Sequence, residues 1–90
     1  MKVVKRDGHI VDYDAQKIRD AIGKANNEVR GKEKVTKEQI EEIIKYIEEL
    51  NKKRILVEDI QDIIEEKLME FDKYQLAKKY STYRYTRELV

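Results

Sequence analysis

Apolar positions along the chain change period, and the changes mark the elements. Val3-Val4-Lys5-Arg6 and His9-Ile10-Val11-Asp12-Tyr13 are short β-prone runs on either side of Asp7-Gly8, a dipeptide that suits the two positive-φ positions of a type I′ turn. A two-residue loop predicts that Arg6 faces His9, Lys5 faces Ile10 and Val4 faces Val11. Val4, Val11 and Tyr13 then share one face, and Lys5 and Arg6 point to opposite faces. From Asp14 the spacing becomes helical. Ile18, Ala21, Ile22, Ala25 and Val29 form one stripe, Asp14 is the candidate N-cap, and Tyr13 with Ile18 makes a hydrophobic staple. Gly31-Lys32-Glu33-Lys34 ends this element.

A second helix opens more completely, with Thr36 and Gln39 as a capping box and Val35 against Ile40 as the staple. Its stripe is Ile40, Ile43, Ile44, Ile47 and Leu50, and Asn51-Lys52-Lys53-Arg54 closes it. Arg54-Ile55-Leu56-Val57 is a β-prone piece able to add a third strand. A third helix buries Ile60, Ile63, Ile64, Leu68 and Phe71 behind an acidic first turn. Asp72 with Gln75, and Phe71 with Leu76, supply the cap and staple of a fourth, whose stripe includes Leu76, Ala77, Tyr80 and Tyr83. The expectation is a single α+β domain over 1–90, with a hairpin over 2–13 and helices over about 15–29, 37–51, 58–70 and 73–88. The ending Arg87-Glu88-Leu89-Val90 has neither a Gly stop nor a polar tail, as expected of a fragment of a longer chain.

Composition narrows the classes. The 90 residues are 43% charged and contain no Cys, Pro or Trp and one His, which removes disulfides, Cys-based zinc sites and thiol catalysis. No apolar run approaches the roughly 20 residues of a membrane span, and the first residues lack the apolar core of a signal peptide; the expected compartment is the cytosol, with no membrane partner. The net charge of +1 gives no global attraction to a polyanion, so nucleic acid is disfavoured. That sum conceals an asymmetry. Residues 1–35 carry 9 positive and 6 negative charges, residues 36–72 carry 6 and 12, and residues 73–90 carry 5 and 1. An anion site, if built, is expected where the two basic ends meet.

Catalytic signatures are absent: there is no nucleophile elbow, zinc helix or Walker loop, and no chemical turnover is expected of this domain. Three features ask for more than a solvated surface. Lys5-Arg6 flank a tight turn, although cations there also protect sheet edges. Lys17 lies in the first turn of a helix, where a cation opposes the dipole unless an anion occupies that end; an exposed Lys reaching back to Asp14 is the plainer reading. Tyr80-Ser81-Thr82-Tyr83-Arg84-Tyr85-Thr86-Arg87 is aromatic and basic. It reads either as core packing under Arg stems or, through Tyr74, Tyr85, Arg84 and Arg87, as a stacking surface for single strands. His9 is expected to be solvent-exposed at the hairpin tip.

Taken in order, Val3-Val4-Lys5-Arg6-Asp7-Gly8, Tyr13-Asp14, Lys17-Ile18, Val57-Glu58-Asp59-Ile60-Gln61-Asp62-Ile63-Ile64-Glu65, and Leu76-Ala77-Lys78-Lys79-Tyr80 with Tyr83-Arg84-Tyr85-Thr86-Arg87 resemble the ATP-cone domain over nearly the whole chain. The ending looks most like the N-terminal cone of anaerobic, class III ribonucleoside-triphosphate reductases. The resemblance implies a small antiparallel sheet capping a four-helix bundle, with ATP and dATP competing for one pocket between them. ATP permits activity in such reductases and dATP shuts it down, through oligomeric state. It further implies that Lys5, Arg6 and Lys17 bind phosphates and that Val3 and Ile18 line the base pocket. Val11 and Asp14 lie where the family has further base contacts, Val11 replacing what can be a carboxylate. Val57 stands where some members use a Thr hydroxyl toward the phosphates, Gln61 reaches the ribose, and Arg87 or Arg84 adds a cation from the last helix. Mg²⁺ would accompany the triphosphate, and the implied partners are a reductase catalytic domain and further copies of the chain. Two other readings stay open. One is the cone of a nucleotide-sensing transcriptional repressor, against which the missing Cys-based zinc ribbon argues; the other is a helical docking module that binds no nucleotide.

Overall fold

The computed structural model describes the backbone of residues 1–88 and the side chains of residues 1–85. The chain is α+β, with a three-stranded sheet and four helices: β1 (Lys2–Val4), β2 (Ile10–Asp12), α1 (Ala15–Asn26), α2 (Lys37–Glu49), β3 (Arg54–Leu56), α3 (Val57–Glu70) and α4 (Tyr74–Glu88).

The hairpin forms, one residue out of the expected register. Lys2 pairs with Asp12, Val3 with Val11 and Val4 with Ile10. The loop is therefore the three residues Arg6-Asp7-Gly8, closed by Gly8 N–H to Lys5 O at 3.0 Å and Lys5 N–H to His9 O at 2.8 Å. A type I′ turn needs two positive φ values, and only Gly8 has one, at +90°. Such a loop is a turn followed by a single left-handed residue. Asp7 instead accepts from the His9 N–H at 3.0 Å and meets His9 Nδ1 at 2.8 Å, contacts that hold its carboxyl below the usual range. The slip exchanges the faces: Val3 and Val11, not Val4 and Val11, look inward, and Lys5 lies on their side. Val4, Ile10 and Leu56 make a row on the outer face, with Ile10 and Leu56 exposed.

The third strand completes the sheet in an unexpected direction. β3 runs parallel to β1, Val3 opposite Ile55, and the order is β2-β1-β3. The sheet is thus mixed rather than antiparallel, because β1 and β3 are joined by the α1–α2 crossover and not by a turn.

Local chemistry accounts for the helix ends. Asp14 caps α1, its carboxylate accepting the Gln16 N–H at 2.9 Å. α1 stops at Asn26, short of the expected 29, because the Asn26 side chain pairs with both backbone groups of Val35 (3.1 and 2.9 Å). Lys34 Nζ takes the Asn26 carbonyl at 2.8 Å, and the returning loop buries Val29 and Val35. Thr36 and Gln39 form the reciprocal capping box of α2. Asp72 plays a different part from the expected cap of α4. At φ +60° it ends α3, with Lys73 N–H bonded to Leu68 O at 2.8 Å and Asp72 N–H to Met69 O at 2.9 Å, the left-handed closure usually given to glycine. The first turn of α4 is served from a distance: Gln75 N–H donates to the Glu33 carboxylate at 3.3 Å.

α4 packs on α1 and α3, and α2 packs on the same two helices. Ile22, Ile43, Ile47, Ile64, Leu68 and Leu76 are fully buried where they meet, each contributing about 1.5–3 kcal/mol of transfer free energy. Val3, Ile55 and Tyr80 belong to the same core, so the sheet and the helices share one interior.

Candidate nucleotide site

A cleft of about 190 Å³ lies between the inner face of the hairpin, the N-terminal half of α1, the start of α3 and Tyr80 of α4. The hairpin contributes Val3, Lys5 and Val11, the β2–α1 junction Asp12, Tyr13 and Asp14, and α1 Lys17, Ile18 and Ala21. α3 adds Val57, Ile60, Gln61 and Ile64. Of the residues chosen from the sequence, the fold brings Val3, Lys5, Val11, Asp14, Lys17, Ile18, Val57 and Gln61 to this one place. The register slip matters here: on the face of Val3 and Val11, Lys5 is aimed into the cleft rather than away from it.

The floor is apolar. Val3, Ile18, Ile60, Ile64 and Tyr80 are buried, while Lys5 and Lys17 are exposed at the rim. Among the described residues neither Lys forms an ion pair, whereas both lining carboxylates are already used. Asp12 pairs with Lys2, which lowers its carboxyl pKa, and Asp14 caps α1. The Tyr13 hydroxyl donates to Glu48 Oε2 at 2.9 Å; burial and that bond push the phenol above its ordinary range and keep it neutral. Gln61, at 8% exposure, is a polar residue on the buried wall. Cations over an apolar, partly enclosed floor suit a ligand with a flat apolar body and an anionic end.

The other three candidates stand elsewhere. Arg6 is next to the cleft and not in it: its Nε lies 3.1 Å from Glu58 Oε1 and its guanidinium is 5.8 Å from the Tyr85 ring centre. Arg84 is a correction. It is 7% exposed and holds Asp62 at 3.0 Å and Glu65 at 3.2 Å, with its Nε buried and lacking an acceptor among the described residues. Burial works against its charge, and the hydrogen bond to Asp62 with the ion pair to Glu65 outweighs burial, raising its pKa. It clamps α4 to α3 and offers nothing to the cleft. The stacking surface expected with Tyr74 and Tyr85 lacks Arg84, which is enclosed, while both rings are exposed. The Arg87 side chain lies outside the described residues.

Several lining residues were not anticipated as such. The helical stripes place Ala21, Ile60, Ile64 and Tyr80 in the core; Ile60, Ile64 and Tyr80 are buried and also form the floor, and Ala21, partly buried, lines the cleft beside them. Among the described residues no group of three or more His, Asp or Glu converges to hold a metal, and no helix is long and apolar enough to cross a membrane.

The family model described as the ATP cone domain matches residues 1–89. The ribonucleoside-diphosphate reductase subunit alpha of Chlamydia trachomatis is 35% identical over 101 aligned residues, covering all of this chain and 10% of that protein. The anaerobic ribonucleoside-triphosphate reductase of Haemophilus influenzae is 34% identical over 89 residues, 98% of this chain and 13% of its own length. The chain thus spans about a tenth of the curated relatives it matches. With the match running through both walls of the cleft and the helices beneath it, this chain belongs to the ATP cone domain family.

Proposed function

We propose that the cleft binds ATP and dATP in competition, and that the domain, itself without catalysis, regulates the overall activity of a ribonucleotide reductase, as in the anaerobic enzyme it resembles. The three-stranded sheet serves as a cap over the four helices. What carries the reading is one observation: eight residues from the hairpin, α1 and α3 line a single cleft with an apolar floor and two lysines at its rim that form no ion pair among the described residues. In this reading Val3 and Ile18 flank the base, with Val11 and Asp14 nearby. Gln61 meets the ribose, Lys5 and Lys17 neutralise phosphates, and Arg6 joins them. Val57 supplies shape but no hydroxyl. Mg²⁺ arrives on the phosphates, since it keeps several waters and is held mainly by phosphate oxygens and few carboxylates. Regulation follows if ATP and dATP favour different assemblies of the parent protein, because a ligand with equal affinity for two states shifts neither.

Calorimetric titration with ATP, dATP and GTP tests the site. Adenine nucleotides are expected to bind, and the Lys5→Ala, Lys17→Ala double variant is expected to lose about two decades of affinity, from two charge-assisted contacts of about 1.5 kcal/mol or more each, with unchanged circular dichroism. No adenine-nucleotide binding below millimolar concentration removes the reading. Light scattering with each nucleotide on a chain that includes the catalytic domain tests the assembly step.

A further inference from the structure

Two neighbouring pairs of residues divide their work at the cleft mouth. In the hairpin Lys5 lines the cleft and Arg6 does not; at the start of α3 Val57 lines it and Glu58 does not. The two residues left over meet each other, Arg6 Nε lying 3.1 Å from Glu58 Oε1. Arg6 also stands over the Tyr85 ring, 5.8 Å from its centre. The guanidinium next in sequence to a cleft-facing lysine is thus drawn onto α3 and α4, and its pair with Glu58 bridges the two walls of the mouth.

Two further facts give this bridge a role. The cleft, about 190 Å³ in volume and open at its mouth, is below the roughly 300 Å³ at the small end of ligand sites, so a ligand larger than a flat ring system must engage the rim. The bridge is also exchangeable, with Arg6 and Glu58 side chains 32% and 53% exposed. A carboxylate this solvated holds a guanidinium weakly, while a phosphate accepts the same fork with two parallel bonds and more charge.

We infer that Glu58 is a positioning residue that sets the affinity of the cleft: its carboxylate competes internally for Arg6, and a polyphosphate ligand must take the guanidinium from it. The inference rests on the nucleotide reading for its ligand class and adds a residue outside the cleft. Apparent affinity is reduced by the fraction of Arg6 held on Glu58. The loss falls only on ligands whose phosphates reach Arg6.

The test is calorimetric titration of ATP, and separately of inorganic tripolyphosphate, into the wild-type chain and the variants E58Q, D59N, R6Q and R6Q/E58Q. E58Q is expected to tighten both ligands about two- to fivefold, the range of an exposed ion pair. D59N, which removes the next carboxylate of the same turn, should move affinity less. R6Q should weaken binding, and adding E58Q to R6Q should change nothing further. A gain that persists in the R6Q background assigns the effect to repulsion through space and overturns the inference, as does an unchanged E58Q affinity beside measurable wild-type binding. A wild-type chain that binds neither ATP nor tripolyphosphate at millimolar concentration overturns the nucleotide reading and this inference together.

Discussion

Replacing Arg84 by Met keeps most of the buried stem and deletes the charge, which isolates what the guanidinium does between α3 and α4. Its bond to Asp62 reaches a carboxylate that is 60% exposed, so that half of the clamp resembles a surface pair worth at most about 1 kcal/mol. Its contact with Glu65 Oε1 is an ion pair at 3.2 Å without hydrogen-bond geometry, to a carboxylate that is 24% exposed, where weaker solvent screening makes the pair worth about 1 kcal/mol or somewhat more. Losing Arg84 also leaves Glu65 charged and half-buried without its partner. The expected cost is about 2–3 kcal/mol, or about 10–20 °C in melting temperature for a domain of this size. Thermal unfolding followed at 222 nm measures it directly. The double variant R84M/E65M removes the stranded carboxylate and should regain more than half of the loss, since apolar replacement of a buried pair is often neutral. An R84M melt within about 2 °C of wild type, or a double variant no better than R84M, would refute the clamp.

Two further outcomes can be checked on the same instrument. Thr36→Ala removes the capping box of α2 and should cost about 1 kcal/mol, or about 4–8 °C, with nucleotide affinity unchanged because α2 does not line the cleft. The Arg19 fork on Glu41, at 2.8 and 2.9 Å, joins α1 to α2 and lowers the Glu41 pKa, chiefly through the hydrogen bond from Arg19. A depressed folded-state pKa means the contribution is complete above the unfolded value near 4.5 and fades as pH falls through the folded one. Glu41→Gln should therefore flatten the acid side of the stability profile below about pH 4.5 and leave its shape near neutrality intact; an unchanged acid limb would count against the fork.

What could be read in the sequence was local in origin. Asp14 and Thr36 declare their helices because a cap and the amides it serves are two or three residues apart, and those two starts agree with the fold. The hairpin was legible as a hairpin and not in its register, because choosing between a two- and a three-residue loop depends on the φ of Asp7, which accepts from His9 instead of turning left-handed. The direction of β3 depends on a crossover through two helices and has no local mark. Asp72 looks like a cap and acts as a helix terminator, since Asp is one of the few residues that tolerates positive φ. In the site, Lys5 and Lys17 stood out as cations beside a turn and a helix start. Arg84 was misplaced because its partners sit on another helix, although Asp62 and Glu65, three apart on one face of α3, are the spacing a clamp requires.

The parallel pairing of β1 with β3 bears on how the cleft comes into being. Val3 and Ile55 face each other across the sheet from opposite ends of a crossover of about fifty residues, and a contact of such separation carries a large loop-closure entropy cost. The hairpin wall and the α3 wall therefore acquire their relative position through the tertiary fold and not through any local turn. Partly folded chains lack the cleft however much helix they contain. A ligand that needs both walls recognises only the finished domain, and its binding free energy is added in full to global rather than local stability.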